Sequence, residues 1–381
     1  MLPERYLTSR NDFRSDTFTL PTADVWAAAA DASLGDTIYQ EDTDTCALEA
    51  RVAQEFAGAV WGGRAAAGLM CVSTTMANQL AVRALLDRAP PYSVLCDRRA
   101  HVYVDECAGL AVLSQALVLP TEAANGRHLT LEDVQAAHVP DDGDTHGAPT
   151  RVVALENTLH GMCFPLEEMR RISEWAHAQG MLVHLDGARL WNAAAAQPGD
   201  AAAYMRSVCA LFDSVSLCLS KSVGAPMGSV LVGGGDLIRR ARHLQKQQGG
   251  GIRQAGFLAR MADYCITKNV PGLGDVAARA AAFWQDLHDD LRDHHGMQLH
   301  LAHPVETNFV FIDLERSGIE PAKLLEFGAK NDVRLFDGRL AFHFQNVEDS
   351  SLAQLKQVFI DLAAYYREHP YVAPAGPQRR Y

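Results

Sequence analysis

No two of the eight cysteines in this chain are spaced as a CxxC pair, so a zinc ribbon or a thioredoxin-type redox site has no support. They are Cys46, Cys71, Cys96, Cys107, Cys163, Cys209, Cys218 and Cys265. Most sit in apolar runs such as 93–97 and 215–219, where free buried thiols are expected. Long apolar runs are also missing. None approaches the ~18 residues a membrane-spanning helix needs. The opening Met1-Leu2-Pro3-Glu4-Arg5-Tyr6 shows no charged segment leading into an apolar one, so no signal peptide is expected. The closing Gln378-Arg379-Arg380-Tyr381 is not an organelle-retention signal. A cytoplasmic protein is the expectation. The formal net charge of −12 has no long acidic or basic blocks behind it. Such a surface does not attract nucleic acid or an anionic membrane, and the expected partner is a small molecule. No metal site is expected, and there is no internal repeat.

What is present reads as a large folded enzyme. A chain of 381 residues that is 48% hydrophobic buries a sizeable core and suggests about two domains. Short apolar runs at 93–96, 116–119, 152–155, 182–185, 214–219 and 229–232 alternate with helical stretches. Leu166, Met169, Ile172 and Trp175–Ala176 recur at helical spacing and Gly180 follows as a stop. A second helix is expected over 75–86. Such alternation predicts a mostly parallel sheet covered on both faces, with ligands bound beyond the carboxyl ends of the strands. After about residue 265 the pattern changes to a smaller α+β domain, with helices near 277–291 and 351–366 and strands near 307–314 and 340–344. The expected borders are an N-terminal segment 1–30, a large domain 31–268 and a small domain 269–381. Residues 140–149 read as a loop, and the tail from His369 as loosely held.

Chemistry collects just past the strands. Ser220-Lys221 closes the run 215–219 and is followed by small residues through Ser229. Partial burial lowers a lysine's pKa toward that of a useful nucleophile, and small neighbours leave room for a ring-sized group. Leu182-Val183-His184-Leu185-Asp186 ends in an acid able to pair with a protonated pyridine nitrogen, which makes a pyridine cofactor an electron sink. Arg189 follows as a bidentate donor for a substrate carboxylate. His101, past the run ending at Asp97, suits ring stacking and base catalysis. Val72 to Asn78 passes from strand to helix, where hydroxyls such as those of Thr74 and Thr75 can hold a phosphate. The glycine-rich stretch 249–251 presents Arg253. Together these point to a pyridoxal-phosphate enzyme, although each feature alone has an ordinary structural reading.

Over residues ~10 to 370 the sequence resembles the low-specificity L-threonine aldolases, in particular their yeast-type branch. The resemblance rests on Phe13-Arg14-Ser15-Asp16-Thr17, on 35–42, on 91–101, on 155–161, on 184–189, on 217–233 and on 249–254. It implies an aspartate-aminotransferase-like α/β fold (fold type I) with a seven-stranded, mostly parallel sheet. It also implies a homodimer or homotetramer with shared active sites. Lys221 matches the lysine that holds pyridoxal 5'-phosphate as a Schiff base, Asp186 the partner of the pyridine nitrogen and His101 the ring-stacking histidine. Thr75, beside Thr74, matches the phosphate-binding threonine, and Arg253 the arginine lent to a partner's phosphate. Ser15, Arg189 and Arg339 match substrate-carboxylate positions, and Tyr39 lies where the family has a tyrosine near the active-site mouth. The implied activity is retro-aldol cleavage of L-threonine, L-allo-threonine or a related β-hydroxy-α-amino acid to glycine and an aldehyde. An amino-acid (alanine) racemase of the same fold is the alternative, and a catalytically silent partner subunit is a further reading. Three departures stand out. Thr74 replaces a family glycine, raising an expectation of strain in the phosphate loop, Gln40 replaces another and puts a long polar side chain near the mouth, and Cys107-Ala108 varies the usual residues after Glu106.

Overall fold

The computed structural model describes residues 9–58, 60, 61 and 63–372. They form two compact units, one running from Leu20 to Pro271 and the other made of the chain up to Thr19 and the chain from Gly272. The borders expected from the sequence are 30/31 and 268/269. Residues 9–19 join the later unit by backbone hydrogen bonds. Phe13 N donates to Arg334 O (2.9 Å) and Ala341 N to Phe13 O (2.8 Å). The opening residues 1–6 and the closing residues 378–381, read above for targeting signals, and most of the tail from His369 lie outside the described residues.

The larger unit is built on one sheet. Its strands are β1 (Val60–Trp61), β2 (Arg64–Cys71), β3 (Ser93–Asp97), β4 (Leu117–Thr121), β5 (Thr150–Glu156), β6 (Leu182–Gly187), β7 (Ser214–Cys218) and β8 (Ser229–Gly234). They lie in the order β1-β2-β8-β7-β6-β5-β3-β4. Strands β4, β3, β5, β6 and β7 pair in parallel, while β8 runs antiparallel between β7 and β2. The two-residue β1 extends the expected seven strands at one edge. Strands β3 and β7 are buried along their whole length, as continuous apolar runs in a doubly covered sheet should be. Helix Leu166–Ala178 shows the complementary pattern, burying Met169, Ile172 and Ala176 along one stripe.

Register places the chemistry. Glu156 on β5 stands opposite Asp186 on β6, and Asp186 opposite Ser216 on β7. Residues aligned across parallel strands project to one face, so these three side chains form a row at the carboxyl ends. Helix Thr74–Leu85 packs across β6, β7 and β8. Gly187 permits the close approach beyond Asp186, since a Cβ there would lie 2.8 Å from Ser216 O.

The smaller unit carries the antiparallel sheet β9 (Leu301–His303), β10 (Phe309–Ile312) and β11 (Arg339–Ala341), in the order β11-β10-β9. Helices Leu273–His294, Pro321–Lys330 and Asp349–Glu368 belong to it. Phe13, Leu287, Val310, Leu340, Phe342 and Phe359 share its core. The three-residue β9 is too short to show a pattern in sequence. Of the eight cysteines, Cys71, Cys96, Cys209, Cys218 and Cys265 are buried, while Cys46 and Cys163 are half-buried and Cys107 is exposed. Burial pushes the Cys96 and Cys209 thiols up to about 12. No described helix is long and apolar enough to cross a membrane.

Candidate active site

Strand β2 hands the chain to Ser73, which caps helix Thr74–Leu85 by accepting a hydrogen bond from Met76 N at 3.1 Å. The first helical residue, Thr74, is 8% exposed, yet its Oγ1 is buried with no hydrogen-bond partner. Thr75 beside it is half-buried. An unsatisfied hydroxyl at a helix N-terminus is suited to an anion, because the free amides and the helix dipole point the same way. Thr74 adopts ordinary helical geometry, so the strain expected from its replacing a glycine does not arise there. It arises instead at Gln40, whose φ is 58°, and after Glu106, where Cys107 and Ala108 have φ of 50° and 58°.

One turn along that helix, Asn78 reaches under the row of strand ends. Its Nδ2 donates to Asp186 Oδ2 (2.7 Å) and to Glu106 Oε1 (2.9 Å). Its Oδ1 lies 3.0 Å from His184 Nε2, and His184 Nδ1 lies 2.8 Å from Ser214 Oγ. Burial pushes the His184 imidazole down to about 4, so it is neutral at working pH. The second Asp186 oxygen accepts from Ala188 N at 3.0 Å. Asp186 thus sits buried at the end of β6 as a hydrogen-bonded acid.

His101 starts a short helix after β3. Its Nδ1 is 2.8 Å from Glu106 Oε1, and its backbone N donates to Glu156 Oε2 at 2.7 Å. Gln79 Nε2 secures the other Glu106 oxygen at 2.5 Å. The Glu106 contact raises the His101 pKa above the ordinary histidine value, with Asp186 and Glu156 adding to the effect. Burial and the facing Asp186 charge push the Glu156 carboxyl up to about 8. Lys221 follows the end of β7, half-buried in a turn where Gly224 N donates to Lys221 O at 2.9 Å, and its charge acts on Glu156.

Lys221, Asp186, His101 and Thr74 therefore gather at the carboxyl edge of one sheet. Arg189 occupies the N-terminal flank of the next short helix, Leu190–Ala195, and is half-buried. Arg253 is placed differently. Its guanidinium is half exposed and pairs with Asp36 at 2.7 Å, and its carbonyl accepts from Thr37 N. Tyr39, in the same loop pair, is 71% exposed. Ser15 and Arg339 belong to the smaller unit. Ser15 is buried there, and Arg339 Nε donates to Arg14 O at 2.9 Å beside a cavity of about 610 Å³ that Phe311 and Phe336 also line. The sequence reading assigned no role to Asn78, His184, Glu106 or Glu156. Asn78 lies four residues after Thr74 on one helix face, and His184 two before Asp186 on one strand face. Those spacings were the available signal.

Residues 12–317 match the family described as β-eliminating lyases. The chain belongs to that family. Within it, the low specificity L-threonine aldolase of Saccharomyces cerevisiae is 47% identical over 371 residues, covering 97% of this chain and 91% of that protein. The low-specificity L-threonine aldolase of Eremothecium gossypii is 46% identical over 382 residues, covering 100% and 94%. The solved structure of Leishmania major threonine aldolase superimposes with a TM-score of 0.73 at 21% identity, covering 92% of this chain and 99% of that one, which shows the shared fold. This family member is a pyridoxal-phosphate-dependent aldehyde-lyase that works on carbon–carbon bonds. Its residues fit the cofactor. The orphaned Thr74 hydroxyl at a helix N-terminus suits the phosphate, the buried Asp186 carboxylate suits a pyridinium, and a lysine stands beyond the neighbouring strand.

Proposed function

We propose that this chain cleaves L-threonine, L-allo-threonine or a related β-hydroxy-α-amino acid by retro-aldol reaction to glycine and an aldehyde. The carrying observation is the His101–Glu106 pair set beside Asp186 at the strand ends, a base next to a pyridinium acid. When bound, pyridoxal phosphate supplies the electron sink for the pair released as Cα–Cβ breaks. Lys221 would hold it covalently, Asp186 would keep the proton on its ring nitrogen, and Thr74 and Thr75 would hold its phosphate. The acceptor-only Glu106 carboxylate takes the Nδ1 hydrogen of His101, leaving the lone pair on Nε2. That nitrogen receives the β-hydroxyl proton, directly or through water. Arg189 binds the substrate carboxylate, and Tyr39 borders the mouth. Arg253, held outward by Asp36, serves the phosphate of a second copy in a homodimer or homotetramer. A cytoplasmic role in forming glycine fits this chemistry.

The test is acetaldehyde release from L-threonine and L-allo-threonine by cofactor-loaded protein, read by coupled reduction of the aldehyde. Release at enzymatic rates is the expected outcome. No aldehyde from any β-hydroxy amino acid, with D-alanine forming from L-alanine, overturns the reading in favour of a racemase. Lys221→Ala is expected to abolish the visible absorbance of the bound cofactor, and a retained band removes the lysine's assignment.

A further inference from the structure

We infer that Asn78 and His184 are positioning residues that lock the Asp186 and Glu106 carboxylates into one hydrogen-bonded unit, tying the charge on His101 to the acid of the ring nitrogen. The inference rests on the roles proposed above for Asp186 and His101.

The geometry permits one reading of the Asn78 amide. The atom 2.7 Å from Asp186 Oδ2 and 2.9 Å from Glu106 Oε1 faces two acceptors, so it is the nitrogen, with each of its hydrogens used. The amide oxygen then faces His184 Nε2 at 3.0 Å, so that ring nitrogen carries a hydrogen. Ser214 Oγ, 2.8 Å from Nδ1, supplies a donor for the remaining lone pair. A flipped amide would set its oxygen against two buried carboxylates, and His184 opposes that flip. A ring nitrogen of His101 and one carboxylate oxygen each of Glu106 and Asp186 lie within 4.8 Å of one another. Two carboxylates so close do not both stay ionised unless something between them compensates. Asn78 is the group between them. Gln79 anchors the far Glu106 oxygen, so Glu106 is held from both sides. The charged groups facing His101 are Glu106, Asp186 and Glu156, with Lys221 acting on Glu156. Removing the Asn78 donors leaves Glu106 Oε1 and Asp186 Oδ2 without their shared bridge, so Glu106 holds His101 less firmly and its field on His101 weakens.

The test is a histidine-labelled NMR titration of the full-length, cofactor-free chain, joined to a cofactor-binding titration. Asn78→Ala is expected to lower the His101 midpoint by about half a unit or more and to weaken cofactor binding about tenfold. His184→Gln, which keeps a donor near the Nε2 position, is expected to hold both readouts within about twofold of the parent. His184→Leu removes that donor and is expected to move both in the direction of Asn78→Ala. An unmoved His101 midpoint in Asn78→Ala overturns the inference, as does equal behaviour of His184→Gln and His184→Leu. Should Asn78→Ala not fold, the His184 pair decides. Asp186→Asn separates the two readings. Unchanged cofactor affinity and absorbance there remove the ring-nitrogen role, while the NMR comparison still reports on the bridge.

Discussion

At the scale of single residues, the site is a set of polar groups whose surroundings set their charge. In the role proposed for it, His101 takes a proton only when neutral, and its contact with Glu106 raises its pKa. The acid limb of kcat/KM is therefore expected to have its midpoint above the ordinary histidine value, about 6.5. Glu106→Gln is expected to move that limb to lower pH, checked by pH–rate profiles of both proteins. Thr74 gives a prediction with two signs. Its buried hydroxyl has no partner in the cofactor-free chain. Thr74→Val keeps the volume and removes the unsatisfied group, so the cofactor-free protein should gain about 1 kcal/mol. The same change should weaken cofactor binding. Thermal unfolding and a binding titration check the two effects separately. Lys221, Asp186, His101 and the Thr74–Thr75 pair were legible in the sequence because each follows an apolar run. Asn78 and His184 were not, because an asparagine in a helix and a histidine in a strand have ordinary structural readings.

At the scale of elements, the strand–helix alternation was readable from hydrophobic pattern, since a doubly covered strand needs a continuous apolar run. The expected runs at 93–96, 182–185 and 214–219 correspond to β3, β6 and β7. The antiparallel course of β8 was not readable, because a buried apolar run looks the same in either direction. The substituted glycine positions show the same limit. Strain is expected from sequence at Thr74, yet of Thr74 and Gln40 only Gln40 takes a left-handed backbone, with φ of 58° in the loop where Glu41 N donates to Asp36 O. Gln40→Gly is expected to raise stability by about 1 kcal/mol, because glycine has no Cβ penalty there. Denaturant unfolding measures it, and a loss of stability would show that side-chain contacts of Gln40 outweigh its backbone strain.

At the scale of the whole molecule, the chain is two compact units, and the smaller one draws on both ends of the sequence. Its N-terminal segment is tied in by buried polar contacts. His343 Nε2 and Asn346 Nδ2 both meet Asp12 O, at 3.1 and 3.0 Å. Burial pushes His343 down to about 4. The unfolded chain therefore takes up a proton on this side chain at higher pH than the folded one does. Stability should fall as pH drops from about 6.5 toward 4, by up to about 3 kcal/mol from this group. His343→Gln keeps a donor without the titration and should flatten that dependence, read as urea midpoints across the window.

Local pattern carried the inventory of chemistry: a lysine, an acid, a histidine and a hydroxyl pair, each at the exit of an element. Hydrophobic periodicity is a one-dimensional property, so strands, helices and the residues that follow them can be read from it. The joining of Asn78 to Glu106, Asp186 and His184 belongs to three dimensions. These partners lie 28 to 108 residues away along the chain, and they meet because one helix crosses the ends of three strands in a particular register. Hydrogen bonds require distances near 3 Å and a fixed donor direction. No sequence spacing encodes that requirement, so folding alone made four scattered side chains into one network.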